Sequence, residues 1–580
     1  MSDSVQNVSD ANTVGKSPAR RVLRISFAGR YAVLLEICAT IVICFTVLRL
    51  AMLLWFSEPS ELSISEWTLV FLTGLRFDVL VTLCAAFPQL IFMTLIPNPK
   101  SMGRISRFLL ESQWLVGYGL LLSIILAEWL FFDEFRTRFN YIAFEYLVYP
   151  TEVCCNIWES YQTGKIITVV VLLGVVLYAV LRERYLSRIQ DAMPASRRWS
   201  IVAMTFCVTL ALFFTTPMTA AQVTRSRTAN ECACNGIYSF VYYAWTCRFD
   251  FEEFYKTTSE SDAVVRSRAA VESPDSRFIE NSPHPLDRIV TTGRPQRDVN
   301  VVLILEESLG SDFIGALGDK RGLSPEFDKL CEQGLLFNNW YATGNRTARA
   351  LEAVTTAMPP LPTESILKRD HSTNVFTLAH ILAERGYERL FATGGRGMFD
   401  GVKSFMTANG FNHFVEQSDY LDPVFVNAWG VSDEDMFHRA VEELDKFHQT
   451  GKPFFATLLT VSNHRPFTYP AGRIDSEEQT RENAVRYSDW AIGDFFKRVR
   501  EKEFYKNTIF IVMGDHGARV YGSQLFPVKS YRVPVLVIDP DQSSHTVQHA
   551  GKFAGHCPNH HGNAGRIIPI RVFWTGRTHA

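Results

Sequence analysis

The sequence predicts an all-α transmembrane domain of five helices, followed by an α/β head with a mainly parallel sheet. Five long apolar runs lie before residue 222, and a mixed-charge composition typical of soluble proteins begins near residue 300. In that later part, short apolar runs alternate with helical patterns, as in βαβ units. The 58 basic and 60 acidic residues nearly cancel, which gives no reason to expect a nucleic-acid partner.

Each apolar run is long enough to cross a bilayer, which takes about 20 residues of helix. The five predicted spans are Tyr31–Phe56, Trp67–Ile96, Phe108–Phe132, Ile166–Leu181 and Ile201–Ala221. Basic residues cluster before the first span, between the second and third, and between the fourth and fifth. By the positive-inside rule, the N-terminus is cytoplasmic and everything after Ala221 lies outside. The sequence therefore predicts a multi-pass protein of the cytoplasmic (inner) membrane with an external head.

Ionisable residues inside the second span need an explanation, because charges in a bilayer are costly and usually paired or functional. Arg76 and Asp78 either pair with each other or take part in lipid handling. Between the third and fourth spans, the aromatic-rich stretch Asp133–Tyr149 is suited to lying among lipid headgroups. The alternative for this stretch is an ordinary connecting helix.

Composition divides the chain into five parts. These are a cytoplasmic segment (1–30), the membrane domain (31–221), an outer-face linker (222–299), the α/β head (300–540) and an atypical tail (541–580). Nine of the eleven cysteines precede residue 250, so a disulfide-stapled head is not expected. The cysteines near the outer surface either pair or serve as small apolar residues, and the second interpretation is preferred.

Continuous apolar runs in the head are typical of buried parallel strands. The predicted strands are Asn300–Leu305, Pro453–Val461 and Thr508–Met513. Helical patterns separate them, notably at Thr377–Arg385 and Asn483–Glu501.

Polar side chains follow the first and last of these strands. Glu306 and Glu307 follow the first, and Asp515 and His516, with a glycine on each side, follow the last. In open α/β sheets the chemistry lies beyond the carboxyl ends of the strands. Two carboxylate oxygens and an imidazole suit manganese or zinc and leave a coordination position open. A helix cap is the simpler interpretation of a single strand-end carboxylate, but the adjacent Asp–His pair favours a metal site.

A hydroxyl that such a metal could activate lies in the segment Tyr341–Glu352. Its Gly-Asn-Arg-Thr stretch predicts a loop that enters a helix near Thr347. The N-terminus of a helix favours an anionic phosphate, and Arg346 and Arg349 could add charged contacts to it. The alternative is that Thr347 is only the N-cap of this helix.

In combination, these motifs resemble the lipoteichoic acid synthase and phosphoglycerol transferase family, membrane members of the alkaline phosphatase/sulfatase superfamily. The resemblance covers roughly residues 30–540 and includes Trp429–Asp435 and Ser462–Phe467 in the expected order. It implies one divalent metal ion, with Mn²⁺ favoured and Zn²⁺ or Mg²⁺ compatible. The residues that match the family's metal ligands are Glu307, Thr347, Asp515 and His516.

The resemblance also implies roles for other residues. Thr347 is the implied catalytic nucleophile, and His464 corresponds to a substrate-binding histidine. The family's headgroup-binding Trp and Arg have no clear match in residues 394–400, where Arg396 and Asp400 are the candidates for substrate binding.

The implied reaction moves phosphoglycerol from the lipid phosphatidylglycerol to Thr347, and then to an extracytoplasmic acceptor such as a glucan or a glycerol-phosphate polymer. A sulfatase or phosphodiesterase-type hydrolase is one alternative. A phosphoethanolamine transferase is another, although such enzymes typically carry the cysteine-rich head that this chain lacks. An inactive membrane scaffold would be expected to have lost a metal ligand. The sequence leaves the acceptor and the oligomeric state open.

The tail departs from the family pattern. Six of the fourteen histidines fall in residues 541–580, without helical or strand periodicity. One interpretation is a histidine-rich metal-binding tail. The preferred one is a shifted reading frame near Asp541, which replaces the closing elements of the head.

Overall fold

The computed structural model describes residues 30–57, 62–96, 103–188, 193–246, 256–282, 284–291, 297–360, 364–369, 372–518, 527–541 and 547–552. The chain divides into two compact units. The first is helical. The second contains the α/β head and also the segment Glu145–Gln162.

Within the described part of the chain, five helices are long and apolar enough to cross a membrane, as predicted. They are α1 (Ala32–Phe56), α2 (Ile64–Leu95), α3 (Arg104–Phe135), α6 (Thr163–Arg188) and α7 (Ala195–Thr215). Two shorter helices, α4 (Tyr141–Val148) and α5 (Pro150–Ser160), lie between α3 and α6. Helix α7 begins and ends earlier than the predicted Ile201–Ala221. It ends there because Pro217 follows, and proline cannot continue the helical hydrogen-bond pattern.

The buried carboxylate of Asp78, in α2, forms an ion pair with Arg49 of α1. Arg49 donates hydrogen bonds to both carboxylate oxygens of Asp78, at 2.7 and 2.9 Å, and Asn235 donates to Asp78 Oδ1 at 2.9 Å. Arg76 instead donates to the carbonyl of Thr215. The predicted Arg76–Asp78 pair is therefore wrong, because residues two positions apart on a helix face different directions.

The stretch after residue 222, predicted to be a linker, begins with helices of the first unit. Two short helices, α8 (Arg227–Ala233) and α9 (Gly236–Thr246), belong almost entirely to the helical unit. Both helices are too short to show the periodicity of a long helix, so this stretch was predicted to be a linker from its composition. All nine cysteines within the described residues are free, which agrees with the preferred interpretation of them as small apolar residues.

The second unit is built on an eight-stranded sheet. Its strands are β3 (Asn300–Glu306), β4 (Leu335–Tyr341), β5 (Glu388–Thr393), β6 (His413–Val415), β9 (Phe454–Leu459), β10 (Thr508–Gly514), β11 (Arg532–Ile538) and β12 (Val547–Lys552), in the order β12-β4-β11-β10-β3-β9-β5-β6. Helix α10 (Glu260–Val271) and two strand pairs lie outside this sheet, namely β1 (Ser276–Phe278) with β2 (Arg288–Val290) and β7 (Val426–Asn427) with β8 (Gly430–Val431). Among the described residues of this sheet, β11 pairs antiparallel with β10 and β4, and the other pairings are parallel. The prediction of a mainly parallel sheet is confirmed.

Helices cover both faces of the sheet. On one face the core includes Val302 and Ile304 of β3, and on the other it includes Val301, Leu303 and Leu305. The first face packs against α11 (Pro325–Cys331), α15 (Asp433–Gln449) and α16 (Arg481–Val499), and the second against α12 (Thr347–Thr356), α13 (Leu378–Ala383) and α14 (Val402–Ala408). Burial on both faces explains the continuous apolar runs of the central strands.

Part of the atypical tail joins the sheet. Strand β12 (Val547–Lys552) lies parallel to β4 at the sheet edge. Residues 553–580, with most of the tail histidines, lie outside the described residues, so both interpretations of the tail stay predictions.

Candidate metal centre and active site

Two neighbouring strands bring the predicted carboxylates together. Strands β3 and β10 are parallel, with Glu306 and Gly514 in register at their carboxyl ends. The next residues, Glu307 and Asp515, therefore reach the same edge of the sheet. A Cβ atom on Gly514 would clash with the carbonyl oxygen of Leu309, so glycine is required immediately before Asp515.

Glu307, Asp515 and His516 form a buried cluster whose ligand atoms lie within 4.8 Å of one another. His516 Nδ1 lies 3.0 Å from the carbonyl oxygen of Gly517. A carbonyl oxygen only accepts hydrogen bonds, so Nδ1 carries the proton of the neutral ring. The lone pair is then on Nε2, which lies 3.8 Å from Glu307 Oε1 and 3.6 Å from Asp515 Oδ2. This tautomer leaves the nitrogen that faces both carboxylates available to a metal.

Thr347 is the first residue of α12, as the predicted helix start requires. The N-cap is Arg346, and no side chain caps the helix. The Thr347 hydroxyl instead donates a hydrogen bond to Glu307 Oε2 at 2.9 Å. The interpretation of Thr347 as only an N-cap is therefore wrong. Position N1 aims its hydroxyl at the carboxylate cluster.

The two carboxylates differ in their electrostatics. Burial raises the pKa of Glu307, but His516, His464 and hydrogen bonds from Ser308 and Thr347 together bring this pKa below its ordinary value. Burial, followed by repulsion from Glu307, raises the pKa of Asp515 well above its ordinary value. Asp515 Oδ2 is buried and has no hydrogen-bond partner among the described residues. Two buried carboxyl groups, one of them with an unpartnered oxygen, fit a divalent cation, because the cation would offset the cost of burying their charge.

Three polar residues that the sequence analysis did not single out support Glu307. Ser308, at a φ of 54°, donates its hydroxyl to Glu307 Oε1 at 2.6 Å and its backbone N–H to Asp515 Oδ1 at 2.8 Å. The backbone N–H of Glu307 donates to Thr460 Oγ1 and its carbonyl accepts from Asn463 Nδ2, both at 2.9 Å. Thr460 and Asn463 follow β9, the neighbour of β3, so the strand-end rule could have identified them.

Glu306 has a different environment from Glu307. Burial, followed by repulsion from Asp433, raises the pKa of Glu306 well above its ordinary value. Its Oε2 accepts a hydrogen bond from Thr460 at 3.3 Å. The environment of Glu306 therefore disfavours its charged form, whereas Glu307 faces the cluster.

His464 lies close enough to Glu307 to lower its pKa. Its Nδ1 is 3.1 Å from the carbonyl oxygen of Arg465, and its ring centroid is 3.8 Å from that of Trp429. Trp429 donates its indole N–H to the same carbonyl at 2.6 Å. Trp429 belongs to a motif quoted from the sequence, but its contact with His464 was not predicted.

Arg396 and Asp400 lie in the loop after β5, and both have partners within the second unit. Arg396 pairs with Glu152 at 3.0 Å, and Asp400 pairs with Lys368 at 2.7 Å. Their predicted roles in substrate binding stay predictions.

A family model described as Sulfatase matches residues 299–556. A protein from Vibrio parahaemolyticus, solved as a member of the alkaline phosphatase superfamily, is 38% identical with a TM-score of 0.50, covering 53% of this chain and 75% of that chain. The chain therefore belongs to the alkaline phosphatase superfamily, as the sequence motifs indicated. Its head is a sulfatase-like domain.

Two further comparisons concern the membrane part and the activity. EptA, an integral membrane lipooligosaccharide phosphoethanolamine transferase from Neisseria meningitidis, matches 88% of this chain and 89% of its own with a TM-score of 0.53. At 13% identity this shows a shared fold alone, five apolar helices followed by the α/β domain. Phosphoglycerol transferase I from Citrobacter koseri is 25% identical over 242 residues, which cover 38% of this chain. The match spans 31% of that relative's length.

Proposed function

We propose that this protein is a membrane-bound, metal-dependent phosphotransferase that moves phosphoglycerol from phosphatidylglycerol to an extracytoplasmic acceptor, a glucan or a glycerol-phosphate polymer. The observation that carries the proposal is the Thr347 hydroxyl at a helix N-terminus, 2.9 Å from a carboxylate of the ligand cluster. The similarity to phosphoglycerol transferase I supports phosphoglycerol as the transferred group. The basic flanks of the spans support an external head on the inner membrane.

Glu307, Asp515, His516 and the Thr347 oxygen would hold the divalent metal, for which Mn²⁺ is the first candidate. When bound, the cation lowers the pKa of a hydroxyl in contact with it and offsets the negative charge of a phosphate.

The proposed reaction has two displacement steps. Thr347 Oγ1 forms a bond to the lipid phosphorus as the bond from phosphorus to the diacylglycerol oxygen breaks. The hydroxyl proton leaves along the hydrogen bond to Glu307, and the departing oxygen takes up a proton, for which His464 is the candidate donor. An acceptor hydroxyl then attacks the same phosphorus and gives its proton to His464. The bond from phosphorus to the Thr347 oxygen breaks, and that oxygen takes back the proton held by Glu307.

The N-terminus of α12 stabilises the phosphate in both steps. Its first backbone N–H groups have no partner within the helix, and the helix dipole favours negative charge at this end. Thr347 at position N1 therefore holds its phosphoryl group where these donors point.

A phosphoethanolamine transferase is the second candidate, because EptA shares the layout of the whole chain. It would use the same nucleophile with another lipid headgroup. A hydrolase differs only in the second step, where water replaces the acceptor hydroxyl.

The test compares Thr347→Ala with the parent in vesicles that contain headgroup-labelled phosphatidylglycerol or, in a second arm, labelled phosphatidylethanolamine. We expect diacylglycerol release from phosphatidylglycerol to fall on the order of a thousandfold or more, as on removal of other nucleophiles. Thr355→Ala is the matched control, because the Thr355 hydroxyl donates to the Leu351 carbonyl of the same helix, at 2.7 Å, away from the ligand cluster. Mass spectrometry of the acid-quenched parent should find glycerophosphate on the peptide that contains Thr347.

Undiminished diacylglycerol release by Thr347→Ala would refute the assignment of the nucleophile. Label transfer from phosphatidylethanolamine alone would favour the second candidate. Label found only in free glycerophosphate, with every acceptor supplied, would identify a hydrolase.

A further inference from the structure

The segment Glu145–Gln162, here named the interspan segment, connects the third and fourth spans in sequence but belongs to the same compact unit as the head. It contains the end of α4 and all of α5. No feature of the reaction proposed above uses it.

Three glutamates of the interspan segment contact the head at a spacing of seven residues. Within α5 this spacing is about two helical turns, which places Glu152 and Glu159 on one face. The contacts are Glu145 with Lys368 Nζ at 3.2 Å, Glu152 with Arg396 Nη1 at 3.0 Å, and Glu159 with the backbone N–H of Ala428 at 2.9 Å. Each glutamate therefore engages a different loop.

A series of aromatic contacts runs from the interspan segment to the candidate active site. The rings of Tyr149 and Phe399 lie 4.9 Å apart, those of Phe399 and Trp429 5.5 Å, and those of Trp429 and His464 3.8 Å. Arg465, next to His464, donates a hydrogen bond to the Tyr161 hydroxyl at 3.1 Å. The position of the His464 ring is therefore connected to the interspan segment by two routes.

The charged contacts reach the two remaining substrate-binding candidates. Lys368 forms ion pairs with both Glu145 and Asp400. Burial lowers the pKa of Lys368, but the two carboxylates raise it by more, so its pKa lies above the ordinary value. Glu152 occupies one side of the Arg396 guanidinium, and Gln417 accepts from its Nε at 3.1 Å. Both candidates thus contact partners that hold the loops in place.

We propose that the interspan segment is a positioning element of the active site, and that Arg396 acts through Glu152 rather than by binding the substrate. Docking of the segment fixes the loops that carry Asp400, Trp429 and His464. This inference rests on the proposed function for its kinetic consequence, but the docking itself does not depend on it.

The test is a charge swap in the full chain in lipid nanodiscs, using Glu152→Arg, Arg396→Glu and the double variant. Each single variant places two like charges in contact, so we expect kcat/KM for phosphatidylglycerol to fall about tenfold. Hydrogen exchange of peptides from residues 145–162 should rise in both single variants. The double variant should restore both properties, and Mn²⁺ affinity should stay unchanged throughout. Glu442→Arg is the control, since Glu442 is 63% exposed on α15 and pairs with Arg439 only at 3.5 Å.

Two outcomes would overturn the inference. Unchanged hydrogen exchange in both single variants would show that this pair does not hold the segment. Restored protection without restored kcat/KM in the double variant would show that Arg396 binds the substrate itself. Hydrogen exchange needs no turnover, so an inactive parent with swap-dependent protection would refute the proposed function and leave the docking established.

Discussion

Ser308→Ala should weaken metal binding without removing a metal ligand. The Ser308 hydroxyl donates to Glu307 Oε1 at 2.6 Å, and both side chains are buried. A hydrogen bond to a charged group is worth about 1.5–3 kcal/mol, and each 1.4 kcal/mol is about a factor of ten in affinity. Loss of this bond should therefore raise the Kd for Mn²⁺ about 10- to 100-fold, in line with other residues that orient metal ligands. Competition with a fluorescent chelator measures this Kd directly.

Ser308→Gly separates the hydroxyl from the backbone conformation. Ser308 has a φ of 54°, a left-handed conformation that costs a non-glycine residue roughly 1–2 kcal/mol. Glycine should weaken Mn²⁺ binding as much as alanine does, while the metal-free glycine variant melts at a higher temperature than the alanine variant. Unchanged Mn²⁺ affinity in both variants would refute the view that Ser308 orients Glu307.

Three further predictions concern the metal, the helical unit and pH. Chelation with EDTA should abolish transfer and lower the melting temperature of the catalytic unit, and Mn²⁺ at a hundred times its Kd should restore about 2.7 kcal/mol. Arg49→Met should cost about 3–5 kcal/mol in detergent melts, because it leaves Asp78 buried and unpaired, and adding Asp78→Leu should recover most of this loss. The hydrogen bond from Lys452 holds the pKa of Glu388 at about 2, below its value of about 4.3 in the unfolded chain. The Glu388 carboxylate therefore stabilises the fold at pH values above about 4.3, and this stabilisation is lost as the pH falls towards 2. Glu388→Gln should therefore lower stability by about 1 kcal/mol at pH 7 and match the parent near pH 2.

Each of these predictions has a contradicting result. Transfer that survives EDTA would remove the metal from the mechanism. A double variant at residues 49 and 78 as unstable as Arg49→Met alone would show that charge pairing is not what the two residues supply. A stability difference at Glu388 that persists at pH 2 would point to packing rather than charge.

Strands with an uninterrupted apolar run could be recognised from the sequence, and strands in which that run is interrupted could not. Strands β3, β9 and β10 are continuous apolar runs because helices cover both of their faces. Strand β4 contains Asn338 and Asn339, which interrupt the pattern. Strand β11 contains Pro534, at a point where its register with β4 shifts. Proline cannot donate a ladder hydrogen bond and is tolerated at such irregularities, so its presence argued against a strand.

The candidate site was predictable where local rules determine it. Parallel strands place their carboxyl ends at one edge, which is enough to bring Glu307 near Asp515 and His516. The contact of Trp429 with His464 and the association of Glu152 with Arg396 depend on tertiary packing between distant segments. Periodicity shows which face of a helix is polar, but it does not identify the partner of that face.

The register of β3 with β10 also determines when the metal centre can form. Ser308 and Asp515 are 207 positions apart, so one half of the site is synthesised long before the other. At typical synthesis rates this interval lasts about 10–40 s. Throughout it β3 lacks its neighbour β10, and it lacks β9 until Leu459 has been made. The metal centre can therefore form only after Asp515 and His516 have been made, late in the maturation of the head.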